Sequence, residues 1–210
     1  MTRFSQRFRL TGGSEANSVN KWFGGGFAAE TTAFESIASV TVGSGGSSAI
    51  TFTSIPQTYS HLQLRGIVRT NKTSGDDTVS MRFNSDTASN YAAHANYGNG
   101  ATAAAYAETT QTRITIYGEV YSLTQAPNVF APAIVDILDY ASTNKYKTIR
   151  SINGAEGGSA TTATSSQIRL HSGLWFNSTI AGITSITIFS DYGTLVSEYS
   201  TIALYGIRAA

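Results

Sequence analysis

The sequence predicts an all-β protein: a single β-sandwich of jelly-roll type, preceded by an extended N-terminal arm. Three observations predict it. From Glu35 onward apolar residues recur with a period of two, the segments carrying them are short and rich in β-branched side chains, and Gly, Asn, Ser or Pro separates them at turn spacing. No strong amphipathic helix breaks the series, and no fixed-period repeat marks a solenoid or propeller. About ten strands over residues 35–210 suit two packed sheets. A chain of 210 residues leaves no room for a second full core.

The arm, residues 1–34, begins MTRFSQRFRL and continues through Gly12-Gly13 to Lys21-Trp22-Phe23-Gly24-Gly25-Gly26-Phe27. Its glycines carry a high ordering entropy, so Phe4, Phe8, Trp22, Phe23 and Phe27 are expected to order against a neighbouring surface rather than against one another. The domain, residues 35–210, opens with Ala38, Val40 and Val42 in alternation, a flexible turn at Gly43 to Ser47, and Ile50 and Phe52 flanking Thr51. Leu62, Leu64 and Val68 then share one face while Gln63, Arg65 and Arg69 take the other, a strand with one wet side. Gly66 marks a bulge or a close approach. Val79, Met81 and Phe83 form the next apolar face.

Residues 84–109 read as a long loop carrying Tyr91, Tyr97 and Tyr106, with a short helical turn at Ala101 to Ala107. Strands resume at Thr112 to Tyr117, Phe130 to Leu138, Lys147 to Asn153, Gln167 to Trp175, Ile183 to Phe189 and Thr201 to Arg208. Pro56, Pro127 and Pro132 fall at starts and turns, where a missing N–H is tolerated.

Composition narrows the function classes. Charged residues are 13% of the chain, about half the usual share, so solubility rests on hydroxyls, amides and glycine. Such a surface costs less to desolvate than an ionic one and suits burial between subunits. The net charge of +1, with no basic run beyond the N-terminus, argues against nucleic acid. The absence of cysteine removes disulfides, thiolate metal sites and a Cys nucleophile. No apolar stretch approaches a membrane span, and no signal-peptide core opens the chain, so synthesis in a cytosol is expected.

Catalytic and metal signatures are absent from the pattern. His61, His94 and His171 lie far apart with no ligand spacing, and no role is assigned to them. Asp136 and Asp139 offer a carboxylate pair for glycoside hydrolysis or calcium, but salt bridging or turn capping with Lys145, Lys147 or Arg150 is the preferred reading. Asp76-Asp77 reads as a solvated turn. There is no G-x-S-x-G elbow, and the glycine runs at 24–26 and 154–158 lack the lysine of a phosphate loop. No catalytic residue, metal ligand or cofactor site is therefore expected. Tyr91, Tyr97 and Tyr106 remain candidates for contact with glycan or a neighbouring subunit.

One set of segments carries a resemblance. Ala49 to Tyr59, His61 to Ile67, Arg82-Phe83-Asn84, Phe130-Ala131-Pro132, Asp136 to Tyr140, Thr143 to Thr148, Ser172 to Trp175 and Ala203 to Ile207 resemble a family of small tailed-bacteriophage virion proteins. The resemblance covers about residues 35 to 208 and leaves the arm outside it. It implies a non-enzymatic structural protein of the virion, made in the host bacterial cytoplasm. The preferred expectation is a tail-fibre or tail-appendage component, homotrimeric, docked to other virion proteins through its arm and displaying its sandwich for host attachment, with a surface glycan as a further partner. A capsid decoration protein is the alternative, and a polysaccharide-degrading enzyme a distant third.

Overall fold

The computed structural model describes residues 33–123, 127–156 and 166–208. Every regular element among them is a β-strand. In chain order these are β1 (Phe34–Thr41), β2 (Ile50–Phe52), β3 (His61–Val68), β4 (Asp77–Phe83), β5 (Tyr91–Gly98), β6 (Ala103–Gln111), β7 (Ile114–Val120), β8 (Ala131–Leu138), β9 (Lys147–Ala155), β10 (Gln167–Trp175), β11 (Ile186–Ser190) and β12 (Thr201–Ile207). Ala33–Ala210 forms one compact unit, and the five aromatic residues of the expected arm lie outside the described residues.

The strands form two wholly antiparallel sheets. One has the order β1-β12-β3-β8-β9-β10-β5-β6 and the other β2-β11-β4-β7. Pairing β1 with β12, β2 with β11, β3 with β8 and β4 with β7 folds the chain back on itself as one long rolled hairpin. That is the strand order of a jelly roll, with four strands in each sheet. Two further hairpins are spliced into it, β5–β6 between β4 and β7 and β9–β10 between β8 and β11. All four added strands join one edge of the larger sheet, beyond β8. The smaller sheet gains nothing.

Alternation explains most of these strands. Along β8 the pattern Ala131, Ala133, Val135, Ile137 is buried while every intervening residue reaches solvent. Ile149 of β9, Leu62 and Leu64 of β3 and Ile202 and Leu204 of β12 continue the same inner face, which meets Phe52, Val79, Met81, Phe83, Ile186 and Ile188 of the small sheet. Each such side chain contributes roughly 1.5–3 kcal/mol by leaving water. Pro132 sits where its missing N–H is harmless, because β9 pairs with β8 only from Ala133 onward. The expected close approach at Gly66 is against β12, where a Cβ would collide with the Thr201 carbonyl oxygen and Ile202.

The structure corrects the reading of residues 84–109. They are not a long loop with a helical turn but, from Tyr91, a hairpin whose strands pair from Tyr91 opposite Gln111 to Gly98 opposite Ala103. Alanine is the best helix former and a poor strand former, so YAAHANYG and AAAYAETTQ mislead on propensity. Full pairing of β5 with β10, from Trp175 opposite Tyr91 to Ile168 opposite Gly98, overrides it. The Asn99-Gly100 step, with Gly100 at φ +84°, supplies the tight turn.

Candidate functional site

Most polar side chains that could have formed a chemical centre instead tie loops to strands. Asp77 Oδ1 accepts from the Thr78 and Tyr192 amides, and its Oδ2 from Ser190 Oγ and the Gly193 amide. Asp191 accepts from Thr78 Oγ1, Ser80 Oγ and Arg113 Nε. Asn71 Oδ1 takes the Thr194 and Leu195 amides, and Asn84 Oδ1 those of Thr184 and Ser185. Asp86 Oδ2 gathers Asn90, Trp175 Nε1 and Asn177. Burial opposes ionisation of Asp86, but these donors and the Ala88 amide outweigh it and hold the carboxyl below its ordinary value. Asp77 is therefore a buried anchor rather than the solvated turn expected for it.

The Asp136–Asp139 pair also separates into two structural jobs. Asp136 accepts from Gln63 Nε2 at 2.7 Å on the outer face of the large sheet. Asp139 closes its turn by an ion pair with Lys145 at 2.6 Å, which lowers its pKa, while its own amide donates to His61 Nδ1. Among the described residues, no three His, Asp or Glu side chains are placed to share a metal ion.

One cluster resembles catalytic geometry more closely. On the inner face of the added strands, His171 Nδ1 lies 3.3 Å from Ser151 Oγ and its Nε2 lies 3.2 Å from Tyr106 OH. A serine beside an imidazole is the start of a nucleophile–base pair. Ser151 and His171, however, are each 1% exposed, beneath Gly118 of β7, where a Cβ would strike both Arg169 and His171. Burial, reinforced by the Arg169 charge, pushes the imidazole down to about 4, so it is neutral at pH 7. Each ring nitrogen then trades one hydrogen bond with a hydroxyl, and no route leads a substrate to either atom. Next to it Arg169 lies 3.4 Å from Glu119, whose carboxyl burial and the Asp76 charge push up to about 8. At neutral pH that contact is chiefly a guanidinium against an uncharged acid.

The three candidate tyrosines occupy this same inner side. Tyr91 is 0% exposed; its OH accepts from the Phe83 amide at 3.1 Å and packs with Phe83 and Trp175, so the expectation that it contacts glycan or a neighbour is corrected. Its phenol is pushed up to about 12 by burial. Tyr97 and Tyr106 are half-buried, 6.4 Å apart, with the Arg169 guanidinium 4.9 Å from the Tyr97 ring. The most exposed tyrosines are instead Tyr192 (65%) and Tyr199 (66%), on the segment leading into β12. Tyr199 stands at φ +67°, a left-handed conformation that is strained for an aromatic residue.

What the sequence analysis missed is the outer face of the large sheet. Arg65, Ile134, Ile152, Leu170, Asn96 and Ala105 lie side by side across β3, β8, β9, β10, β5 and β6. Ile134, Ile152, Ile168 and Leu170 are all exposed, Ile168 by 61%. They line two adjoining shallow concavities: one of ≈ 690 Å³ reaches Ala103 and Ala105, and one of ≈ 290 Å³ reaches Pro132 and Gly154. Water disfavours a contiguous aliphatic surface of this kind, and its few polar groups could not orient a small polar substrate. The signal was present in Ala133-Ile134-Val135, where adjacent apolar residues on a strand must place one on each face. Compared with known proteins, the chain matches no family model, no curated protein and no solved structure.

Proposed function

We propose that this chain is a non-enzymatic structural protein of a bacteriophage virion, a tail-fibre or tail-appendage component whose sandwich packs against neighbouring copies and is displayed for host attachment. The observation that carries the structural role is the aliphatic outer face through Ile134, Ile152, Ile168 and Leu170, left open on a domain whose carboxylates and amides are occupied as loop anchors. Soluble monomers rarely expose a contiguous apolar face, which marks a surface that a partner covers, and a polar surface of few charges is cheap to bury around it. The virion as the place of assembly rests on the resemblance of residues 35–208, and docking of the arm on its aromatic, Gly-rich composition.

Quantitative mass spectrometry of purified particles tests the placement. Few copies confined to the tail support the appendage reading. A copy number matching the shell subunit would replace it by the capsid-decoration reading, and absence from purified particles overturns both. Ile152→Asp tests the face: the variant is expected to fold normally and fail to enter the particle, and normal incorporation would remove the observation on which the structural role stands.

A further inference from the structure

The two sheets have four edges, and three of them are closed to further pairing. β1 carries a bulge between Ser36 and Ala38, and its Glu35 is ion-paired with Arg208. β2 is three residues long. β7 is bulged twice against β4, and all seven of its residues are buried. These are the usual devices that stop a sheet from growing. The fourth edge, β6, is regular from Ala103 to Glu108, and its one bulge lies at its far end, beside Thr110 at φ +54°. It is nine residues long with every side chain at least partly exposed, and it contains no Lys, Arg or Pro. Its single charge, Glu108, is turned towards Thr115 Oγ1 at 3.4 Å.

The direction of the unpaired backbone groups follows from the hairpin. The Asn99 amide donates to the Thr102 carbonyl, which makes Asn99 and Thr102 a hydrogen-bonded pair. In an antiparallel ladder such pairs alternate with pairs whose N–H and C=O point away. Ala104, Tyr106 and Glu108 therefore bond to β5, while Ala103, Ala105 and Ala107 present their N–H and C=O groups outward. The three outward residues are all alanines, so among the described residues their side chains leave those groups open to an approaching backbone.

We propose that β6 pairs antiparallel with β6 of a second copy of this chain, about a two-fold axis at Ala105, joining two eight-stranded sheets into one. A second copy fits because the edge is complementary to itself. With Ala105 opposite Ala105, Ala103 faces Ala107, Ala104 faces Tyr106 and Glu108 faces Thr102, so every pair shares a side of the sheet and no charge meets its like. The two-fold axis also brings the outer apolar faces of both copies to the same side. Ala103 and Ala105 then sit midway between two sets of Ile168 and Leu170, and the separate concavities become one surface. The inference deepens the assembly reading above by naming a contact and its symmetry.

The test uses the full chain in Ala105→Pro and Ala105→Lys variants, with Ser39→Lys on β1 as the control at the opposite edge. Sedimentation is expected to show the particle mass halved by Ala105→Pro and by Ala105→Lys and unchanged by Ser39→Lys. The Ala105 N–H points away from β5, so Ala105→Pro is expected to keep the wild-type circular dichroism spectrum. Hydrogen exchange supplies the second readout: the Ala103, Ala105 and Ala107 amides are expected to be protected in wild type and in Ile152→Asp, and to exchange freely in Ala105→Lys. Ile152→Asp separates the two ideas, because losing the outer face leaves this protection intact. A wild-type chain that is monomeric at high micromolar concentration, an unchanged mass in both Ala105 variants, or fast exchange of the three amides in the assembled protein would each overturn the pairing.

Discussion

The eight jelly-roll strands and the four added strands are built from the same period-two chain, yet part of the added strands reverses the placement of polar and apolar side chains. In the jelly roll the inner face is Leu62, Leu64, Val135, Ile202 and Leu204 against a covering sheet, and the outer face carries Gln63, Arg65 and Asp136. In the added strands Ile149, Tyr91 and Trp175 still face the core, but beyond them the inner face presents Ser151, Asn153, Arg169, His171 and Tyr106, while Ile152, Ile168 and Leu170 point outward. The difference follows from the size of the second sheet. Four strands cannot cover eight: beyond β8 the inner face meets Phe83 of β4 and, on β7, Ile114 over Gly173, but then Gly118 and Glu119 over His171 and Arg169. A polar network fills that part of the seam, and Ile152, Ile168 and Leu170 of the same strands face outward.

Perturbing the junction between the two regions has the largest expected effect. The Phe83 ring of β4 packs 5.5 Å from Trp175 of β10 and 6.4 Å from Tyr91 of β5. Phe83→Ala leaves a cavity where the regions meet and is expected to cost about 3–5 kcal/mol in urea unfolding. An unfolding curve that splits into two transitions would mean that the added strands fold independently of the jelly roll.

The polar seam is tested by pH. Glu119, raised to about 8, holds a proton in the folded protein that the unfolded chain releases above 4.5, so its contribution declines as pH rises from 4.5 to 8. His171, lowered to about 4, stays neutral where the unfolded chain takes up a proton below 6.5, so its contribution is lost as pH falls from 6.5 to 4. The two slopes oppose between 4.5 and 6.5 and leave a plateau. Between 6.5 and 8 Glu119 is the one of the two still titrating, and its contribution to stability is expected to drop by about 2 kcal/mol. Glu119→Gln is expected to remove that drop and expose the His171 rise at lower pH. A pH profile that Glu119→Gln does not alter would place the seam's titration elsewhere.

Smaller effects separate anchors from surface. Asn84 stands at φ +49° and accepts two amides with one side-chain oxygen. Asn84→Ala is expected to cost about 1–3 kcal/mol, and Asn84→Gly less, because glycine keeps the left-handed backbone and loses only the hydrogen bonds. Leu170→Ser, on the outer face, is expected to change unfolding free energy by no more than about 0.5 kcal/mol while weakening assembly. A large loss of stability there would mean that the face belongs to the fold rather than to a partner.

Ten of the twelve strands were legible because each carries its own alternation: Leu62, Leu64 and Val68, or Val79, Met81 and Phe83, declare a buried face without reference to anything distant. The hairpin β5–β6 was not, because Ala92-Ala93, Ala95 and Ala103 to Ala105 have no local strand preference and become strands through β10. The turn that makes it was visible as Asn99-Gly100. Of the candidate contacts, Tyr91 looked like a loop residue only because its strand was unseen. The Ser151–His171–Tyr106 cluster joins positions whose separation along the chain leaves no spacing to read.

The sequence by itself determined the all-β class and the order of the jelly-roll strands along the chain, since those depend on local periodicity and turn chemistry. Only the tertiary structure decided which face of β9 and β10 is inside and which edge is left open. An alternating strand always has one apolar side, but whether that side meets a core or the solvent depends on what lies across from it, and here the covering sheet stops at β7.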